Sequence, residues 1–477
     1  MVPVKMQLLP LLLVIGCVGT QKDGFLGPNP AANSSSVVLS PRAVVLAPGE
    51  SQQFSLTASW NDDSTIVPAV SYSATGGSIT RATGLYTAGQ TAGLYHVIAT
   101  SMDGTRADTS VVAVETTGSE ITINPGTPIQ PIVAQSPLGA HFLLKAGVYA
   151  QQLISPKDSM QFRGEPGTVL DGQGVTAFAF TGTARALWIR DIEITGYAPP
   201  HTDLGAIQGF DGQDWILQNM NVHNNSGYGA NLRGHFMVIG GTFHHNARLG
   251  IGVTEGSGGL IEGADLSFNN PDSSFAPLWE AGGVKVSSSS NVIVRGCHAH
   301  HNVGPGIWYD IDNRGSFVVD NLVTDNSYAG ILYEISYSGV IQGNTVLRNG
   351  TPEAGVFGAG ILIASSGDVE IHHNSLQANR QGIVAIQQDR GAGQFGPYLV
   401  ENLSVHDNDV ELKTGAAGLL DAIGTGSILN SSSNRFDGNR YDVTGNPLPF
   451  YTGGPNPDSI AAWQALGQDL TSTFTGP

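Results

Sequence analysis

Along most of this chain apolar and polar residues alternate in short runs, and each run stops at Gly, Asn or Ser. A period of two is the pattern of a β-strand with one buried face, so the chain is predicted to be all-β. From Gly283 to Gly350 the runs fall into three lines of one design: GVKVSSSSNVIVRGCHAHHNVGP, GIWYDIDNRGSFVVDNLVTDNSYA and GILYEISYSGVIQGNTVLRNG. Their opening glycines, Gly283, Gly306 and Gly330, stand 23 and 24 residues apart, and each line closes on Asn. Short strands repeating at this interval predict a solenoid, specifically a parallel β-helix.

The same marks extend the repeat over rungs 205–228, 229–249, 250–281, 283–305, 306–329, 330–350, 360–381 and 382–410. Asn225, Asn246, Asn270, Asn302, Asn326, Asn349 and Asn379 recur near the rung ends, with Asn321, Asn344 and Asn374 five residues before three of them. Stacked asparagines at turns hydrogen-bond along the axis and tolerate left-handed backbone, so their role is structural. His223, His245, His301 and His373 beside them are read as turn residues. The runs HHN and HAHHN look metal-binding at first sight, but neighbours in an extended strand point to opposite faces and rarely share one ion.

Before the solenoid the rhythm differs. Residues 37–117 hold short alternating strands with regular turn signals, which predict a β-sandwich. Residues 1–17 combine Lys5, an apolar run from Leu8 to Ile15 and then Gly16-Cys17, an export signal too short to span a bilayer as a helix. Residues 18–36 are polar and rich in Gly, Pro and Ser, as a flexible tether is. After the opening strands of the solenoid, which is predicted over 120–450, Ile129–Ser136 is expected to cap its first coil. Residues 451–477, with a helix over Ser459–Leu466, are expected to cap its last.

Composition narrows the function. Of 477 residues 63 are Gly and only 13% are charged, which suits stacked coils whose sides are Ser, Thr and Asn. The net charge of −18 argues against a nucleic-acid partner. It also makes an anionic polymer hard to hold unless a local basic cluster or a divalent cation offsets the repulsion. The two cysteines, Cys17 and Cys297, offer no disulfide framework. Cys297 is read as a buried small apolar residue.

Three resemblances add to this. Val14-Ile15-Gly16-Cys17 resembles a bacterial lipobox, which implies cleavage before Cys17, lipid attachment to its thiol and an exported protein on the cell surface or outer membrane. A plain secretory signal cleaved slightly later is the alternative. Val38–Gly49 and Gly84–Ser101 resemble bacterial Ig-like repeats of the BIG2 type, which implies an N-terminal Ig-like β-sandwich acting as a spacer. Phe142–Tyr149 followed by Thr168–Gly172 resembles the opening segment of the pectate-lyase-like right-handed parallel β-helix superfamily. That superfamily contains lyases, epimerases and glycosidases, and fold alone does not choose among them.

Candidate chemistry follows from the strand register. Counting from each opening Gly, positions +1 and +3 are Val284/Val286, Ile307/Tyr309, Ile331/Tyr333 and Ile361/Ile363, so that face points inward. The outward columns are Asn231, Gly252, Lys285, Trp308, Leu332, Leu362 and, two places on, Arg233, Thr254, Ser287, Asp310, Glu334, Ala364. Lys285, Trp308, Asp310 and Glu334 are thus predicted to form one exterior patch, with Asp312 at its edge and Arg233 further along. An outward Trp308 would cover the apolar face of a pyranose. The insertion Pro271–Ala281 would add Trp279 and Glu280.

Three readings fit. A polysaccharide lyase or related uronate-modifying enzyme would use Lys285 as base, with Asp310, Asp312 and Glu334 binding Ca2+ or substrate. A glycoside hydrolase would use Asp310 and Glu334 as its carboxylate pair. A non-catalytic adhesin would hold glycan with the same residues. The bland alternative is a solvated strand end at Asp310–Asn313 with Glu334 paired to Lys285. The calcium and arginine set of pectate lyases and the paired aspartates of polygalacturonases are missing, whereas Glu280 before Lys285 is similar to an acidic residue preceding a basic one on an alginate-lyase coil. A monomer with a polysaccharide partner is expected.

Overall fold

The computed structural model describes residues 35–60, 69–91, 93–102, 107–114, 120–430 and 433–476. The export signal, Cys17 and nearly all of the expected tether lie outside them. The chain divides into two compact units, Met1–Thr116 and Thr117–Pro477.

In the smaller unit Ala43–Leu46, Ala107–Val114, Gly93–Ser101 and Val70–Ala74 form one sheet. Ser51–Gln53, Leu85–Thr87 and Ser78–Ile79 form another, and Ser35–Ser40 pairs with Ser55–Trp60. Leu39, Phe54, Tyr86, Val97 and Val112 make its core. A buried carboxylate ties the strands, Asp108 accepting from the Leu39 amide at 2.6 Å and from Arg42 Nη1 at 2.5 Å.

The larger unit is a parallel β-helix. Among the described residues its strands form three long sheets of 13, 13 and 12 strands. A rung visits all three. In one, Ile307–Asp310 lies in the third sheet, Arg314–Val319 in the first and Leu322–Thr324 in the second. Strands pair in parallel with their counterparts one rung on, Ile307 with Ile331 and Asp310 with Glu334, until the terminal strand Pro457–Asp458, which pairs antiparallel with Phe450–Gly453. The inward column is the predicted one: Val284, Val286, Ile307, Tyr309, Ile331, Tyr333, Ile361 and Ile363 are all buried in a single continuous core. Even the tyrosines fit, because their hydroxyls donate to backbone carbonyls, Tyr309 to Val292 at 3.0 Å and Tyr333 to Tyr337 at 2.8 Å. Cys297 is buried there too, and burial pushes its thiol up to about 12.

Two asparagine ladders run along the axis. In one, Asn302 Nδ2 donates to Asn326 Oδ1 (2.9 Å), Asn326 to Asn349 (2.9 Å) and Asn349 to Asn379 (3.0 Å). The other joins Asn321, Asn344 and Asn374 and continues to Asn408 and Asn439. One expectation is corrected: Asn269, not Asn270, stands in the first ladder, bonding Asn302 at 2.9 Å. Asn270 has left-handed backbone (φ 58°) and uses its amide to anchor the insertion, donating to the Phe275 and Val303 carbonyls.

Both ends are closed by short helices. Ile129–Gln135 buries Ile129 and Val133 on the first coils. Ile460–Ala465 is capped by Ser459 and buries Trp463, which stacks on Phe450 with centroids 5.1 Å apart. The last strand, Thr473–Thr475, then extends the second sheet.

Candidate active site on the outer face of the third sheet

The predicted register brings Lys285, Trp308, Asp310 and Glu334 together. Lys285 pairs across the sheet with Trp308, Ser287 with Asp310, and Asp310 with Glu334. Lys285 Nζ lies 2.8 Å from Asp310 Oδ2 and 3.8 Å from the centroid of the Trp308 ring, and donates to the Trp279 carbonyl at 2.6 Å. A carboxylate, a π-face and a carbonyl are all partners suited to an ammonium group. Glu334 pairs with Arg390 at 2.5 Å, not with Lys285. Burial, and then the neighbouring Asp310, raise the Glu334 carboxyl above its ordinary range. Asp310 Oδ1 is buried and has no hydrogen-bond partner among the described residues.

The sequence reading assumed that this face meets solvent, and here the structure corrects it. Trp308 is 2% exposed. It packs with Leu332, Leu362, Val384 and Tyr451 in a second apolar cluster outside the sheet, with Leu278, Val356 and Phe357 from inserted segments against it. Beyond Glu334 the outward positions are apolar, and the inserts cover them as a core would. Trp308 is therefore no open sugar platform. The exposed tryptophan is Trp279, 72% accessible, on the insertion.

Other expected members fall elsewhere. Arg233 pairs with Glu255 and stacks over Phe210 at 4.7 Å. Asp312 does not join Asp310 and Glu334, because Ile311 and Asp312 are both left-handed (φ 60° and 55°) and turn the chain out of the strand. Its Oδ1 accepts from Tyr398 Oη at 2.8 Å and the Gln394 amide at 3.0 Å. The three-carboxylate calcium set thus does not assemble. Glu280 accepts from Arg248 and from Tyr228 Oη (2.9 Å). The Tyr228 ring lies over Gly252, where a Cβ would come within 2.7 Å of it.

Tyr228, Arg248 and Arg390 were not found from sequence. Tyr228 precedes the glycine used as a register mark, and Arg248 lies in a turn. Arg390 sits in a Gly-rich excursion after the strand Gln381–Gln387, which carries no periodic signal. Together with Lys285 they place three cations along the floor of one face in a chain of net charge −18.

The adjacent histidines also depart from expectation. His245, His301 and His373 are left-handed (φ 51°, 53° and 55°), not extended. Each therefore turns back on its predecessor, with Nδ1 atoms 2.8, 2.9 and 2.8 Å apart.

Residues 205–376 match the family model described as "Right handed beta helix region". Among solved structures, the chain is similar to the A-module of the mannuronan C-5 epimerase AlgE6 of Azotobacter vinelandii, at 16% identity and TM-score 0.52, covering 71% of this chain and 91% of that one. It is also similar to XylC, solved in complex with xylose, at 10% identity and TM-score 0.52, covering 74% of this chain and 86% of that one. These likenesses establish the fold, a right-handed parallel β-helix. No curated protein matches the sequence.

Proposed function

We propose that this chain acts on an anionic polysaccharide, as a lyase or related uronate-modifying enzyme, through Asp310 and Glu334 on the outer face of the third sheet. The observation that carries the reading is the buried Asp310 Oδ1, which no donor among the described residues satisfies and which lies one rung from Glu334. A buried carboxylate oxygen without a partner is costly, and such strain persists where a reaction uses it. The two carboxyls are also held differently. Asp310 is paired with Lys285 at 2.8 Å, while burial pushes Glu334 toward its proton-bearing form. Environments that separate two acids in this way assign a base and an acid.

In an elimination, Asp310 takes the proton from the sugar carbon next to the uronate carboxyl, the electron pair forms the new double bond, and Glu334 protonates the departing glycosidic oxygen. The base role thus passes from Lys285 to Asp310. Arg248, Lys285 and Arg390 are paired one to one with Glu280, Asp310 and Glu334, which lowers the local repulsion that an anionic polymer meets on an otherwise acidic chain. With these cations matching its carboxylates, the reading assigns no calcium to the site. Trp279 supplies the exposed ring for stacking.

A glycoside hydrolase is the second reading, favoured by two carboxylates at paired positions on adjacent rungs. A panel of alginate, pectate and neutral glycans separates the readings. Absorbance of unsaturated products selects the lyase, inverted uronate centres in proton NMR select an epimerase, and reducing ends without unsaturation select the hydrolase. Binding without any product would leave a glycan adhesin and overturn the enzymatic reading.

The proposal places the protein outside the cytoplasm, lipid-anchored through Cys17, with the smaller unit as an Ig-like spacer between membrane and solenoid. Cys17→Ser in the producing cell should release the protein from the membrane fraction. Unchanged membrane retention would sink the anchor.

A further inference from the structure

The second sheet carries a cluster that the proposed reaction does not use. Strands Asp265–Ser267 and His298–His300 are parallel neighbours, in the register Asp265 to His298 and Ser267 to His300. Leu266 and Ala299 between them are buried in the core, so Asp265, His298 and His300 project outward together. Asp265 Oδ2 lies 3.0 Å from His300 Nε2 and 3.8 Å from His298 Nδ1. One ligand atom from each of the three residues lies within 4.8 Å of the others. We propose that Asp265, His298 and His300 form a binding site for a divalent transition metal such as Zn2+.

Spacing and chemistry support this together. Tetrahedral Zn2+ with N and O ligands at about 2.0–2.2 Å separates its ligand atoms by roughly 3.3–3.5 Å, within the range seen here. Two imidazoles and a carboxylate suit Zn2+, Ni2+ or Cu2+ better than Ca2+. The far atom of each ligand is already held, as metal ligands usually are. His298 Nε2 meets Thr324 Oγ1 at 3.3 Å, His300 Nδ1 meets His301 Nδ1 at 2.9 Å, and Asp265 Oδ1 accepts from Ser267 Oγ at 2.5 Å. The residues are half-buried, so water can complete the coordination. The pair that matters is His298 and His300, two apart on one strand, while left-handed His301 folds back as the orienting partner.

A bound ion would join the two rungs flanking the insertion that carries Trp279 and Glu280, and so raise stability. The test uses the full chain without a histidine tag, stripped by a chelator and titrated with Zn2+ by calorimetry, with Tm followed in parallel. One Zn2+ per chain and a rise in Tm are expected. Asp265→Asn and His298→Gln should each weaken binding at least about tenfold and abolish the Tm rise, while His406→Gln, on the first sheet, leaves both intact. No saturable binding, or binding that is unchanged in both Asp265→Asn and His298→Gln, would overturn the proposal.

Discussion

Lys285 and Asp310, on successive rungs, form a buried ion pair 2.8 Å long, and each side chain is 9% exposed. On this face of the third sheet the outward columns pass from polar to apolar at Trp308 after Lys285 and at Ala364 after Glu334. Everything proposed for the chemistry rests on that boundary.

Breaking the pair from the lysine side strands a buried carboxylate. Lys285→Met is expected to lower stability by about 3–5 kcal/mol in urea unfolding, because Asp310 loses the ammonium group paired with it. The double variant Lys285→Met/Asp310→Leu should recover most of that loss. A Lys285→Met protein within about 1 kcal/mol of wild type would show the pair to be no more than a surface contact.

The fastenings of the excursion carrying Arg390 include Arg390 to Glu334, Tyr398 and the Gln394 amide to Asp312, and the Gly396 carbonyl to Tyr337 Oη. Tyr398→Phe removes one fastening and leaves Asp310 and Glu334 untouched. Faster proteolytic nicking within residues 388–400 is expected, with KM raised more than kcat is lowered. Nicking at the wild-type rate would mean that the Tyr398 hydroxyl does not hold the segment.

The acid side of the stability profile should carry a signature of His372. Burial pulls its pKa down to about 4. With an unfolded value of 6.5, the unfolded chain takes up a proton that the folded chain refuses, so stability falls as pH drops from 6.5 toward 4. At pH 5 this one group should cost about 2 kcal/mol relative to pH 8. His372→Gln should flatten the profile by that amount in denaturant midpoints at the two pH values, and an unaltered slope would contradict the assignment.

Glu334 acts with the opposite sign. Its raised pKa means that the folded state holds the proton more tightly, a stabilisation present at low pH and lost as pH rises through the folded value. Glu334→Gln should therefore remove a loss of stability on the alkaline side of the ordinary carboxylate range. If Glu334 is the acid, the same substitution should abolish the alkaline limb of kcat/KM.

The repeat was readable because two of its marks are sterically linked. A Cβ at Gly306 would sit 2.7 Å from Asn326 Nδ2, and one at Gly330 would sit 2.9 Å from Asn349 Nδ2. These asparagines of the first ladder thus demand the glycine packed against them, and the register of Asp310 against Glu334 follows from counting by twos. Gly306→Ala should accordingly destabilise the solenoid, measured by thermal unfolding. Coverage of that face was not readable. Trp308 is buried by segments that interrupt the repeat, and Arg390 reaches Glu334 across 56 residues without any periodic mark. Nor could alternation reveal the left-handed residues, the pair Ile311 and Asp312 and the lone His301, that redirect the side chains of Asp312 and His301.

The central claim is tested most directly by the rate of Asp310→Asn on whichever uronate polymer the wild type turns over. Asparagine keeps a carbonyl for Lys285 but cannot take a proton, so the account predicts an intact cooperative unfolding transition with kcat/KM lowered by about a thousandfold or more. Turnover by Asp310→Asn at close to the wild-type rate would contradict it.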